Sequence, residues 1–89
     1  MGKKLVGMTL DEHLQHAEVV VEIRNNLLKL SSTCGTKFGW SHKTHKDAER
    51  VLRILNNLRS SLDDEYHKII TDEEFYKHGH VYYKEKNYE

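Results

Sequence analysis

Apolar residues recur at helical spacing in the first third of the chain. Side chains three and four positions apart lie on one face of an α-helix, and this spacing predicts a first helix over residues 9–30. One apolar stripe of this segment consists of Leu10, Leu14, Ala17, Val21 and Leu28. Another stripe on the same segment is rotated away from it and includes Val20, Ile23, Leu27 and Leu30.

Farther along the chain, another apolar stripe predicts a second helix over residues 44–70. Its members are three or four residues apart, close to a heptad pattern. The intervening residues 31–43 are rich in Ser, Thr and Gly, which favours a loop, and the two helices should therefore pack antiparallel. The apolar stripe of the second helix consists of Ala48, Val51, Leu55, Leu58, Leu62, Tyr66 and Ile69.

Capping patterns mark where helices begin. Thr9 with Glu12, and Thr71 with Glu74, have the Thr-x-x-Glu spacing of a capping box. Thr44 is a weaker candidate cap for the second helix. The second capping box predicts a short third helix over residues 72–78, ended by Gly79. We thus expect one helical domain over residues 1–79, followed by an aromatic-rich tail over residues 80–89.

The first helix has two apolar stripes, and only one of them can face the second helix. A chain of 89 residues also buries too little surface to make a robust monomer. The predicted fold is therefore an all-α antiparallel hairpin that forms a four-helix bundle as a homodimer. Coverage of the free stripe by the short third helix is the alternative.

Charge is sorted along a chain whose net charge is zero. Residues 24–59 contain eight Lys and Arg but two acids, a net charge of +6, whereas residues 1–23 carry −2 and residues 60–89 carry −4. A hairpin converts this order into a rod with a basic loop end and an acidic open end. The basic end predicts a partner with an acidic surface.

Exposed aromatic residues among these cations complete a candidate binding surface. We predict that the partner, another protein, is held by the basic residues and aromatic anchors. A nucleic acid, with phosphates on the cations and a base on Trp40, is the alternative partner. A merely structural role is the alternative for Phe38 and Trp40, and a cap at the open end of the bundle is the alternative for Tyr82 and Tyr83. The predicted partner-binding residues are Lys37, Phe38, Trp40, Lys43, Lys46, Arg50, Arg53, Tyr82 and Tyr83.

Arg24 falls on the apolar face of the first helix. A buried guanidinium is costly without a counter-charge, so we expect a structural ion pair. Asp47 and Glu49, or an acid of a second copy, are the predicted partners.

Seven histidines raise the question of a metal site. Cys34, His42 and His45 form a partial zinc ligand set near the loop, but no fourth ligand has suitable spacing and nearby lysines repel a dication. No metal or cofactor is therefore expected, and a metal-binding helical protein is kept as a second alternative. No base and acid are positioned to activate Cys34, so an enzyme is not predicted.

These features favour a small non-enzymatic interaction or regulatory protein, a class that includes phage-type accessory factors and inhibitors. The single cysteine fits a reducing compartment. The longest aliphatic run, Val19 to Val21, is far shorter than a membrane span. We therefore expect a cytoplasmic protein without a membrane partner.

Overall fold

The computed structural model describes residues 5–84, a range in which every regular element is helical. Helix α1 spans Leu10–Phe38, α2 spans Lys43–Ile69 and α3 spans Asp72–His78, followed by a 3₁₀ turn at Val81–Tyr83. The all-α prediction is confirmed, and so are the bounds of α3. Helix α2 lies within one residue of its predicted range at each end.

Both capping boxes form. The Glu12 N–H donates to Thr9 Oγ1 at 3.2 Å, and the Thr9 N–H donates to the Glu12 carboxylate at 2.9 Å. Thr71 and Glu74 repeat this exchange at the start of α3. For α2 the predicted cap is wrong: His42 is the N-cap, and its Nδ1 accepts the Thr44 N–H at 3.1 Å.

Helix α1 continues two turns beyond the predicted end near Leu30, so the predicted loop over residues 31–43 is wrong. The Thr33 hydroxyl donates to the Lys29 carbonyl at 2.9 Å, and the Thr36 hydroxyl donates to the Ser32 carbonyl at 2.8 Å. These hydroxyls bond to their own helix instead of competing with it. Gly39, with φ +108°, follows the last helical residue, and only residues 39–42 connect the two long helices.

The two long helices run antiparallel. His13 near the start of α1 contacts Tyr66 near the end of α2, with 5.7 Å between the ring centroids. At the opposite end, His45 Nδ1 lies 2.9 Å from the Ser31 carbonyl oxygen. The two contacts fix the direction of the hairpin and place its short loop at the basic end. Among the described residues, no helix has an apolar stretch long enough to cross a membrane.

The core includes the beginning of the predicted tail. Val81 and Tyr82 are buried together with Tyr66, so a domain boundary after residue 79 would divide the core. The Tyr82 hydroxyl shares a hydrogen bond of 2.5 Å with His13 Nδ1, which attaches the C-terminal segment to α1. Residues 85–89 of the predicted tail lie outside the described range. The buried cluster consists of Ala17, Val20, Leu55, Tyr66, Val81 and Tyr82.

Arg24 has a different partner from the predicted one. Its Nε donates to the Asn56 Oδ1 at 3.3 Å. Asp47 instead pairs with Lys43 and Arg50, and Glu49 pairs with His45. The predicted pairing with Asp47 or Glu49 is therefore wrong within the described chain, because the short loop places Arg24 beside a later turn of α2.

The hairpin has two broad sides, and the C-terminal segment covers one of them. Tyr83 lies at a hollow that is also lined by Val21, Asn25 and Arg59. On the opposite side of the hairpin, both long helices present large apolar side chains that are between 43% and 61% exposed. We call this surface the side face; its residues are Val19, Ile23, Leu30, Val51, Ile54 and Leu58.

Candidate interaction site

The short loop arranges the basic end of the hairpin. Gly39 donates its N–H to the Gly35 carbonyl at 3.1 Å, and His42 donates its N–H to the Gly39 carbonyl at 3.1 Å. The chain thus passes from α1 to α2 through a hydrogen-bonded turn. We call the seven predicted residues around it the loop-end surface: Lys37, Phe38, Trp40, Lys43, Lys46, Arg50 and Arg53.

Trp40 lies across the last turns of α1 and remains 62% exposed. One edge of its indole occupies the space beside Gly35, where a Cβ would lie 2.1 Å from the Trp40 Cε3. The His45 ring meets Trp40 edge-on, at 4.9 Å between centroids. The ring is therefore positioned by contacts on one side while its other side faces solvent.

Phe38 is the second exposed aromatic of the loop-end surface. It is 60% exposed, and its ring stacks on His42 with 5.2 Å between centroids. Phe38 and Trp40 flank Gly39, so two large apolar rings stand at the tip of the hairpin. Neither ring belongs to the buried cluster, which disagrees with the alternative that both residues serve only to plug the bundle.

The cations around these rings differ in their pairing. Lys43 and Arg50 both contact the Asp47 carboxylate, and the Lys43 hydrogen bond is the main cause of a lowered Asp47 pKa. Surface pairs of this kind contribute little to stability. Lys37, Lys46 and Arg53 are exposed, and no ion pair is seen for them among residues 5–84. These three are consequently the cations most available to a partner.

Sequence reasoning missed the residues that position Trp40. Ser31 and Gly35 are buried one turn apart on α1; Ser31 contacts His45 at the start of α2, and Gly35 lies against Trp40. The His45 Nδ1 donates to the Ser31 carbonyl, while its Nε2 lies 2.9 Å from the Glu49 carboxylate. The signal in the sequence was two small residues four positions apart, a spacing that permits close approach of a neighbouring element.

The predicted metal candidates are not brought together as a metal site. The His42 Nδ1 is used by Thr44, and both ring nitrogens of His45 face Ser31 and Glu49. Cys34 is a half-buried free thiol. Within the described residues, the His, Cys and acidic side chains that do converge are a different set at the other end of α2.

The two tail tyrosines lie away from the loop-end surface. Tyr82 is completely buried, so its predicted role as an accessible anchor is wrong. Tyr83 is 39% exposed, and the Arg59 guanidinium lies 4.2 Å from its ring centroid. Both residues instead hold the C-terminal segment against the hairpin.

His13 gives the fold a titratable buried group. Burial lowers the His13 pKa below its ordinary value, although Glu12 and Glu65 act in the opposite direction. The unfolded chain therefore binds a proton at a higher pH than the folded chain does. The contribution of neutral His13 to the free energy of unfolding should be fully present above about pH 6.5. It should be lost as the pH falls from there toward the lowered pKa of His13 in the folded chain.

A comparison of the melting temperature at about pH 7.5 and pH 5.5 tests this prediction. We expect His13→Gln to show a smaller loss of stability on acidification than the unmodified chain, because glutamine does not titrate. His16→Ala, which removes an exposed histidine from the same helix, is the matched control and should retain the full loss. Equal losses in the His13→Gln and unmodified chains would contradict the assignment to His13.

Comparisons with protein families, with curated proteins and with solved structures found no match to the chain. A functional proposal therefore starts from the geometry of the loop-end surface and the side face.

Proposed function

We propose that this protein is a small non-enzymatic interaction protein that binds an acidic segment of another protein through the loop-end surface. The observation that carries the proposal is the exposure of Phe38 and Trp40, each about 60%, at a basic tip. Aromatic side chains anchor protein interfaces because they bury a large area with few rotatable bonds. The cations supply charge complementarity, which favours association with acidic partners.

An acidic protein fits this surface better than a nucleic acid does. Asp47 lies between Lys43 and Arg50 and reduces the positive charge available to phosphates. Nucleic-acid binding relies on several cations that each neutralise a phosphate. Two apolar rings with three unpaired cations instead match a peptide that carries both acidic and apolar side chains.

A pair of labelled probes tests the proposed function. One is a fluorescein-labelled synthetic peptide of alternating Glu and Leu, and the other is a labelled single-stranded DNA oligonucleotide. Fluorescence anisotropy at physiological salt should show binding of the peptide. Trp40→Ala should weaken this binding about tenfold or more, since loss of a central aromatic anchor costs about 2 kcal/mol.

Tyr76→Ala is the matched control, because Tyr76 is a 94% exposed aromatic on α3, away from the loop. This variant should bind the peptide as the unmodified chain does. Tighter binding of the oligonucleotide, lost in the Lys46→Glu and Arg53→Glu variants, would establish the nucleic-acid alternative in place of the acidic protein. If neither probe binds, the proposed function is wrong.

We also propose that a second copy of the chain covers the side face, which completes a four-helix bundle. Each of the six large apolar side chains of the side face is between 43% and 61% exposed in the single chain. An exposed apolar surface formed by two adjacent helices is typical of an interaction site. The side face supplies apolar side chains from both long helices, as the contact surface of such a bundle requires.

Charge supports a second copy as the occupant and favours an antiparallel arrangement. A two-fold axis perpendicular to the helices places the basic loop end of each copy over the acidic open end of the other. By helical spacing, Lys43 and Arg50 border the side face near the loop, and Glu12 and Glu65 border it near the open end. Lys46 and Arg53 lie on other faces of α2, where they remain available to the acidic partner.

A further inference from the structure

A cluster of two histidines and one aspartate lies where α2, α3 and the C-terminal segment meet. Asp63 and His67 are one turn apart on α2, and His80 follows α3. Each offers one ligand atom, and these atoms lie within 4.8 Å of one another. The sequence pattern did not indicate this set, because His80 is brought back to α2 only by the turn at Gly79.

The fold holds His80 in place on both sides. Gly79, with φ +70°, ends α3 and reverses the chain, and its carbonyl accepts the Tyr66 hydroxyl at 2.8 Å. On the other side, Tyr82 is anchored to His13 in the core. His80 therefore lies between two fixed points, so the approach of its ring to α2 does not depend on a free chain end.

Ring packing also restrains both imidazoles. The Phe75 ring lies 4.9 Å from the His80 ring and 5.4 Å from the His67 ring, measured between centroids. The two histidine rings are 5.8 Å apart. A shared aromatic neighbour limits the rotation of each imidazole, which lowers the entropic cost of binding an ion between them.

Asp63 supplies the observation that points to a cation. Its carboxylate is 18% exposed, and Oδ2 lies 3.4 Å from the His67 Nε2. The other oxygen, Oδ1, is buried and has no hydrogen-bond partner among the described residues. A buried carboxylate oxygen without a partner is costly, and a metal ion held with His67 and His80 would neutralise that carboxylate.

The surrounding charge favours a cation here more than at the loop end. Several acids lie on α2 and at the start of α3, namely Asp64, Glu65, Asp72, Glu73 and Glu74. Lys68, the lysine on α2 next to His67, pairs with Glu65. Two imidazoles and a carboxylate are typical ligands of Zn²⁺, with water in the remaining position.

We propose that Asp63, His67 and His80 bind a divalent transition-metal ion of the zinc class. His67 and His80 are exposed, so the fourth position is open to water. The ion would join the segment after α3 to α2 and stabilise the packing of the C-terminal segment. This proposal is independent of the proposed binding of an acidic partner at the loop end.

The test uses the full chain, prepared without a histidine tag, and ZnCl₂ as the probe. Isothermal titration calorimetry should show one Zn²⁺ per chain. The melting temperature should rise by roughly 10 °C when free Zn²⁺ is a hundredfold above its dissociation constant. Co²⁺ in the same site should give the intense visible absorption of a tetrahedral complex.

Matched variants identify the ligands. His67→Ala, His80→Ala and Asp63→Asn should each weaken Zn²⁺ binding tenfold or more and abolish the Co²⁺ spectrum. His78→Ala changes a neighbouring histidine outside the cluster and should leave binding unchanged. Circular dichroism without metal shows whether each variant folds, and Asp63→Asn preserves the side-chain shape if an alanine variant does not fold. Absence of Zn²⁺ binding in the unmodified chain, or undiminished binding in folded Asp63→Asn and His67→Ala, would overturn the proposal.

Discussion

Tyr82→Ala should lower the free energy of unfolding by about 3–5 kcal/mol, the cost of removing a large aromatic side chain from a core. Tyr82 is completely buried and contacts the Tyr66 ring, with 6.1 Å between centroids. Its removal would leave a cavity, and it would also leave the His13 Nδ1 without its hydrogen-bond partner. Small domains have little stability in reserve, so the variant should be largely unfolded at 37 °C. Urea denaturation followed by circular dichroism measures the change.

Tyr82→Phe separates packing from hydrogen bonding. This variant keeps the ring, so we expect a loss of about 1–2 kcal/mol from the unpaired His13 nitrogen. Tyr76→Ala is the control for removal of an aromatic residue, since Tyr76 is almost fully exposed, and its effect should be within about 0.5 kcal/mol. A Tyr82→Ala variant as stable as Tyr76→Ala would show that the C-terminal segment is not part of the core.

Ile54→Glu should convert the proposed dimer into a monomer. Ile54 is on the side face and 61% exposed in the single chain, so a glutamate there should be tolerated by the folded monomer. Because the dimer is two-fold symmetric, the substitution places two glutamates in the apolar interface, one from each copy. Burying such a charge without a partner costs several kcal/mol. The dissociation constant should therefore rise a hundredfold or more.

Light scattering after size exclusion, over a wide range of protein concentrations, measures this change. The unmodified chain should have the mass of a dimer, and Ile54→Glu should have that of a monomer. Ser60→Glu is the matched control, because Ser60 is an exposed residue on another face of α2, and it should remain dimeric. A monomeric unmodified chain at high concentration would contradict the dimer, and an unchanged mass for folded Ile54→Glu would show that the side face is not the interface.

Local sequence patterns predicted those helix boundaries that depend on interactions between residues close together in the chain. Helix α3 and both capping boxes depend on hydrogen bonds between residues three or four positions apart, and the sequence displays these pairs directly. Helix α2 was predicted to within one residue because its apolar stripe continues to Ile69. The end of α1 was not predictable in this way. Ser31, Thr33 and Gly35 are typical of loops, yet here packing against α2 maintains the helix through them.

For the candidate sites, too, some features follow from local sequence and others depend on tertiary contacts. Phe38, Trp40 and the surrounding cations were predicted as a binding surface from their place in a basic segment, and that role stays a prediction. Tyr82 was predicted as an accessible anchor because composition does not tell a buried tyrosine from an exposed one. Asp63, His67 and His80 could not be predicted as a cluster, since their convergence depends on how the chain turns after α3.

The amino-acid sequence alone determined that the chain is helical, where the two capping boxes form, and the sorting of charge toward one end of a hairpin. These properties arise from interactions within a few residues and from the order of charges along the chain. Only the tertiary structure decided which tyrosine is buried, which side of the hairpin stays apolar and exposed, and which histidines meet. Those outcomes depend on contacts between residues such as His13 and Tyr82, 69 positions apart, and short-range patterns contain no information about such contacts.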